Sequence, residues 1–220
     1  MNNKGILVVV SGFSGSGKGT IMKRLMSEHG EDYALSVSAT TRAPRPGEVH
    51  GVDYFYVSTD EFERMINQGE LIEYAKYVNN YYGTPKAYVE EQLNAGRSVI
   101  LEIEMQGARK IKKQFPDTIL MFVSAPTAEE IKNRLIGRNT ETEEVICARM
   151  HRAYEESLDV EDYDYLVIND ELESSVECVH RLIQNERMNT TADNETYRLS
   201  SNIDFIKNMR EELLCFSKGV

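Results

Sequence analysis

Residues 6–20, ILVVVSGFSGSGKGT, leave little freedom to the fold built around them. Ile6 to Val10 form an unbroken apolar run, which reads as a strand buried on both faces, and the glycine-rich segment behind it cannot prolong that strand. A helix starting near Lys18 is expected next. Gly12, Gly17 and Lys18 fit the spacing G-x-x-x-x-G-K of a phosphate-binding loop, in which glycines let successive backbone N–H groups curl around an anionic oxygen cluster. The Lys18 ammonium and the positive end of the helix dipole point at the same spot, so amides, dipole and ammonium all favour a polyphosphate there. Strand, loop and helix together imply an α/β protein that handles a nucleotide. The residue behind the lysine is Gly19, where the full motif carries a Ser or Thr that touches Mg²⁺, and Thr20 follows. Magnesium is therefore expected on the phosphates and on water, with Thr20 or Glu102 as candidate protein ligands.

A chain of 220 residues suits one α/β domain with an inserted lobe or two small domains. Its 41% hydrophobic and 28% charged residues exclude extensive disorder. The formal charge of -11 argues against a protein that coats nucleic acid or an anionic membrane, so any anion must be gripped locally. Cys147, Cys178 and Cys215 lie far apart without C-x-x-C spacing, which suggests neither a disulfide framework nor a zinc site. The first apolar run is too short for a signal-peptide core, and no stretch approaches the roughly 20 residues of a membrane span. A cytoplasmic protein is expected, monomer or homo-oligomer left open.

Past the first helix, which should end near His29, residues 35–42 alternate apolar and hydroxyl side chains like a strand, and 52–57 read as a second one. Ser58 to Glu61 is a capping box, and 71–78 with Tyr81 and Tyr82 flank Asn79-Asn80 as a hairpin. These pieces form a β-rich insertion over residues 36–85. Helix 85–95, strand 98–104, helix 105–115 and strand 118–123 then resume the βα alternation, with two carboxylates, Glu102 and Glu104, ending the first of those strands. Capping boxes at Thr127 and Thr140 open two helices separated by Gly137, a break that reads as a hinge. Strand 165–168 and helix 172–188 close the core. A polar stretch, 189–201, leads to a helix over 202–216 whose stripe Ile206, Met209, Leu213 and Phe216 fits packing on its own domain or on a second subunit.

The arginines indicate the chemistry. Arg134 and Arg138 lie four apart on one helix and Arg149 follows beyond the Gly137 break. Singly each fits an exposed arginine paired with Glu129, Glu130, Glu141, Glu143 or Glu144; together they resemble a lid that closes over a transferring phosphoryl group, stabilises its charge and excludes water. A second anion grip, Thr41-Arg42-Ala-Pro-Arg45, holds two guanidiniums on a proline-stiffened turn and suits a phosphomonoester, with Tyr54 and Tyr82 adding hydroxyl donors. Glu73 and Glu104 offer acceptors for guanine, whose pairing edge presents N1–H and N2–H₂ donors, and Ser38 and Thr84 are placed to bond its O6. The four histidines, His29, His50, His151 and His180, show no ligand-like spacing.

The segments GFSGSGKGT, SVSATTRAPRPGEVHGVDYFYV, ELIEYAKYVNNYYGTP, VILEIEMQGA, RLIGRNTETEE and YDYLVIND follow one another in a way that resembles the guanylate kinase family over residues 5–187. The resemblance implies a P-loop NTPase-type parallel sheet flanked by helices, with a core over 1–35 and 86–187, a helical lid at about 134–150, a GMP-binding lobe over 36–85, and a linker and C-terminal helix, 188–220, outside it. It implies ATP-dependent phosphorylation of GMP, and of dGMP, with Mg²⁺ as cofactor. It assigns Gly12, Phe13, Ser14, Gly15, Ser16, Gly17, Lys18, Gly19 and Thr20 to the ATP phosphates and Asn169 to the neighbourhood of adenine. Ser38, Arg42, Arg45, Tyr54, Glu73, Tyr82, Thr84 and Glu104 match the GMP site, and Lys18, Arg42, Arg134, Arg138 and Arg149 the groups acting on the transferring phosphoryl. Glu102 and Glu104 stand where the family usually has Asp. The alternatives are an inactive guanylate-kinase-like module that docks phosphopeptides and a P-loop kinase for another monophosphate, such as AMP.

Overall fold

In the computed structural model, which describes residues 4–45, 47–77, 79–137 and 142–217, the N-terminal apolar run becomes the central strand of a five-stranded sheet. The elements in chain order begin β1 (Leu7–Gly12), α1 (Lys18–His29), β2 (Tyr33–Leu35), β3 (Ala39–Thr40), β4 (Phe55–Tyr56), α2 (Thr59–Asn67), β5 (Leu71–Tyr77), β6 (Asn80–Pro85) and α3 (Lys86–Asn94). They continue with β7 (Ser98–Glu102), α4 (Met105–Gln114), β8 (Ile119–Ser124), α5 (Ala128–Ile136), α6 (Glu143–Ser157), β9 (Tyr165–Ile168), α7 (Leu172–Met188) and α8 (Ile203–Ser217). Strands β2-β7-β1-β8-β9 lie parallel in that order. In β1, Leu7 and Val9 pack with α4, α5, α6 and α8 on one face, while Val8 and Val10 pack with α1 and α7 on the other. An unbroken apolar strand is what this double burial requires. The carboxyl ends of β1, β7 and β9 meet at one rim, which in open α/β sheets is where ligands bind.

A second sheet, β4-β3-β6-β5, closes over its own small core of Ala39, Phe62 and Leu71. Here the chain differs from the single strand expected over 35–42. Leu35 pairs with β7 in the large sheet and Ala39 with β4 and β6 in the small one, so the alternating pattern is cut at residues 36–38, where the chain crosses from one sheet to the other. The strand expected over 52–57 shrinks to β4, and Glu104 leaves the strand to become the N-cap of α4. Asn80, expected in the hairpin turn, pairs with Tyr77. Ser58 and Thr127 cap α2 and α5 as expected, each accepting from a backbone N–H three residues on, at 3.1 Å. The N-cap of α6 is Thr142; Thr140 lies outside the described residues.

The polar stretch after α7 is not extended linker. It folds into two short 3₁₀ segments, Thr191–Tyr197 and Leu199–Asn202, and runs along the outer edge of β9, where Tyr165 and Arg198 form an isolated bridge. Helix α8 then buries Ile206, Met209 and Leu213 in the same cluster as Ile146, Met150 and Ala153 of α6. The tail thus packs on its own chain. No described helix is long and apolar enough to cross a membrane.

Candidate active site

The phosphate loop is held from both sides. Phe13, fully buried, meets Phe122 edge to face at 4.8 Å between centroids, which anchors the loop to β8. Gly12 lies so close to that strand that a Cβ would stand 2.1 Å from the Val123 carbonyl oxygen. Gly17, at φ 86°, caps α1, and a Cβ there would meet the Asn169 amide nitrogen at 2.3 Å. Asn169 donates from Nδ2 to the Ser16 carbonyl at 2.7 Å, and Arg134 donates to the Asn169 and Ser16 carbonyls at 3.0 and 3.4 Å. Asn169, expected beside adenine, is therefore buried as a brace for the loop, and Arg134 helps it while also pairing with Glu130 at 2.7 Å. Lys18 folds back so that Nζ donates to the Gly12 and Phe13 carbonyls at 2.5 and 3.1 Å. Gly19 and Thr20 lie exposed at the start of α1.

Across the loop from α1, β7 ends in Glu102, paired in register with Val10. Solvent reaches this side chain, yet partial burial of its carboxyl raises its pKa, opposed by the charge of Lys18. Gly19 faces it: a Cβ there would lie 3.8 Å from Glu102 Oε1. Over the loop stands α6, whose Arg149 donates to the Ser14 hydroxyl at 2.8 Å. Arg138 lies outside the described residues.

The small sheet presents the other half. Glu73 and Thr84 are directly opposed on β5 and β6, which puts their side chains on one face with Tyr82, two residues along. Glu73 is only 9% exposed and accepts from the Thr84 hydroxyl at 2.9 Å, its one hydrogen-bonding partner among the described residues. Burial raises its pKa, while the Thr84 bond and the charge of Lys110 pull the other way. Arg42, just past β3, forms a two-pronged pair with Glu48 at 2.9 and 3.0 Å and lies over the rings of Tyr54 and Tyr56 at 5.3 and 5.9 Å. Tyr54 in turn lies 6.0 Å from the Tyr82 ring. Its pKa is raised, first by burial and then by the neighbouring Tyr82, while Arg42 pulls the other way. Ser38 is half-buried in the crossing segment and Arg45 is exposed, its backbone N–H bonded to Glu48 at 2.6 Å. Glu104 stands apart from this face: its side chain is 70% exposed and paired with Arg152 of α6.

Glu48 is the group that sequence reasoning missed. It gathers Arg42, the Arg45 amide and the Tyr56 hydroxyl, and that donor set, led by Arg42, lowers its pKa to about 2. Its signal was the acid closing T-T-R-x-P-R-x-G-E. Arg152 was missed too, although it follows Arg149 by one helical turn.

A model of the guanylate kinase family matches residues 4–186. A guanylate kinase from Streptococcus thermophilus is 50% identical over 186 residues, spanning 84% of this chain and 89% of that protein. One from Clostridioides difficile is 51% identical over 184 residues, with the same coverage, 84% and 89%. The crystal structure of guanylate kinase from Anaplasma phagocytophilum superposes with a TM-score of 0.68 at 31% identity, covering 84% of this chain and 88% of that one.

Proposed function

The chain belongs to the guanylate kinase family and is an ATP:GMP phosphotransferase; on that premise we propose that the loop 12–20 holds ATP, that the lobe built on β3 to β6 holds GMP, and that α5 and α6 carry the lid. The observation that carries the guanine assignment is Glu73. A buried carboxylate with a single hydroxyl donor is costly unless further donors reach it, and the N1–H and N2–H₂ groups of guanine supply them where adenine offers an acceptor at N1. Thr84 and Ser38 then stand near the base, and Tyr82, Tyr54, Arg42 and Arg45 near the monophosphate. Arg42 reaches the phosphate by sharing or leaving Glu48, and its place over two tyrosine rings holds the guanidinium flat in either case.

In the reaction a GMP phosphate oxygen attacks the γ-phosphorus in line as the bond from that phosphorus to the β-phosphate oxygen breaks; the electron pair leaves with ADP and the product is GDP. The attacking oxygen is already ionised at neutral pH, so no side chain need take a proton. Lys18 moves from the Gly12 and Phe13 carbonyls to the phosphates, and Arg149, already at the loop, adds a guanidinium to the charge spread over the equatorial oxygens. Positioning by the two halves supplies the rest.

No group of three or more His, Cys, Asp or Glu side chains converges to hold a metal among the described residues. Glu102 beside Gly19 and the exposed Thr20 make a donor set too sparse for a resident ion, but one that fits Mg²⁺ arriving on the nucleotide, mostly through water. When bound, Mg²⁺ neutralises charge on the phosphate oxygens.

Steady-state rates with GMP and AMP under saturating MgATP test the assignment. A preference for GMP of about a thousandfold or more in kcat/KM is expected, and equal rates would remove Glu73 from base reading.

A further inference from the structure

Gly107 lies in the first turn of α4, where nothing in the backbone asks for a glycine. Its φ is not positive, and alanine would suit the helix better because it loses less backbone entropy on folding. Nor does packing require it. The three atoms nearest to a Cβ built there belong to side chains: Ile103 Cδ1 at 3.1 Å, Glu73 Oε2 at 3.5 Å and Ile103 Cγ1 at 3.7 Å. The Ile103 methyl is the end of a flexible side chain and can give way, and the Glu73 distance is ordinary contact. What the absent methyl leaves open is the space beside the Glu73 carboxylate.

Two features bring that carboxylate to α4. Leu71 pairs with Pro85 and Glu73 with Thr84, so Ile72 is the extra residue of a bulge and turns into the core cluster that holds Met105 and Ala108 of α4. Lys110, one turn beyond Gly107, donates from Nζ to the Tyr74 carbonyl at 3.3 Å and ties α4 to β5. Thr84 donates to Glu73 Oε1, whereas Oε2, on the Gly107 side, accepts no hydrogen bond among the described residues. The pairing edge of guanine carries O6, N1–H and N2–H₂ in that order. With Thr84 beside O6, N1–H falls to Oε1 and the 2-amino group to Oε2, next to Gly107.

We propose that Gly107 is a specificity-determining residue: its missing side chain forms the slot that admits the 2-amino group of guanine to Glu73 Oε2, so that the site selects monophosphates of 2-aminopurines over those with hydrogen at C2. The inference rests on the reading of Glu73 as the guanine acceptor. A methyl group in van der Waals contact with Oε2 would take the space that an amino nitrogen needs to come within about 2.9 Å of it.

The test is steady-state kinetics of Gly107→Ala with GMP and with inosine monophosphate, which lacks the 2-amino group, under saturating MgATP. KM for GMP should rise about tenfold while KM for inosine monophosphate and for ATP stay at wild type, and the thermal midpoint should stay at or above wild type. An unchanged KM for GMP, or an equal rise for the two monophosphates, would overturn the proposal. Adding Ile103→Val to Gly107→Ala removes the one tight contact, so the defect should persist in the double variant; recovery of GMP binding would show that crowding of Ile103 caused it and would also overturn the proposal. Glu73→Gln separates the two levels of the reading. If it weakens GMP and Gly107→Ala does not, the slot alone is wrong; if neither does, Glu73 does not read the base.

Discussion

At the scale of one residue, the guanine reading proposed for Glu73 sets stability against recognition. Its carboxylate is buried with one neutral donor, and burial raises its pKa above the unfolded value. For an acid shifted upward, the contribution to stability is fully present below the unfolded pKa and is lost as pH rises through the folded one, so at neutral pH the charged group weakens the empty enzyme. Glu73→Gln is therefore expected to raise the thermal midpoint at pH 7 while raising KM for GMP about tenfold or more; a lowered midpoint with unchanged KM would contradict both halves of the argument. Glu48 has the opposite sign. Its pKa of about 2 keeps it ionised well into acid, so its pair with Arg42 should persist as pH falls through the ordinary carboxylate range. The residue-level reading from sequence found the cations and not this partner, because a motif shows which charges are present but not which of them are spent on one another. The same holds for Asn169, whose role as a brace depends on the approach of β9 to the loop, a feature of sheet order that no local pattern carries.

Elements were legible where period and length agreed. β8, β9, α1 and α7 follow from unbroken apolar runs and helical spacing, and their bounds fall within a residue of the expectation, whereas β1 runs two residues past its apolar run into the glycine loop, because Ser11 and Gly12 still pair with Phe122 and Val123 of β8. The segment 35–42 misled because period-2 alternation continues across a sheet-to-sheet crossing that costs no break in pattern. One contact between elements carries its own pH dependence. At the junction of α1 with α7, His180 stacks on His29 at 3.8 Å and its Nδ1 lies 2.8 Å from the Tyr33 hydroxyl, which itself accepts from Gln184 at 3.0 Å. Burial and the neighbouring His29 lower the His180 pKa, against the pull of Glu177 and Asp32. A base shifted downward contributes stability above its unfolded pKa, and this is lost as pH falls through the folded value. The difference in thermal midpoint between wild type and His180→Gln should accordingly be flat above about pH 6.5 and shift against the wild type in more acid solution; a pH-independent difference would show that the stack does not resist protonation.

For the whole molecule, the tail is the part that the family match leaves out, since that match ends at residue 186. The structure uses it to cover the outer edge of the large sheet and to back α6. Arg210 donates to the Ser157 carbonyl at 2.7 Å, Glu212 accepts from the Ala128 amide at the start of α5 at 2.8 Å, and Leu213 is fully buried. Leu213→Ala should thus cost about 3 kcal/mol and lower the thermal midpoint by about 10 °C, measured by calorimetry; an unchanged midpoint would mean that α8 is a passive appendage. The stripe of apolar residues on α8 was visible in the sequence, but what it covers was not, because α6 and α8 are brought together only by the packing of the whole chain.

The claim on which the rest depends is that ATP phosphates and GMP occupy separate, facing sites, with Lys18 belonging to the first alone. Lys18→Ala addresses this directly when turnover and the calorimetric affinity for GMP are measured on the same preparation. Turnover should fall about a thousandfold with GMP affinity within about twofold of wild type; turnover near wild type, or an equal loss of both, would contradict it.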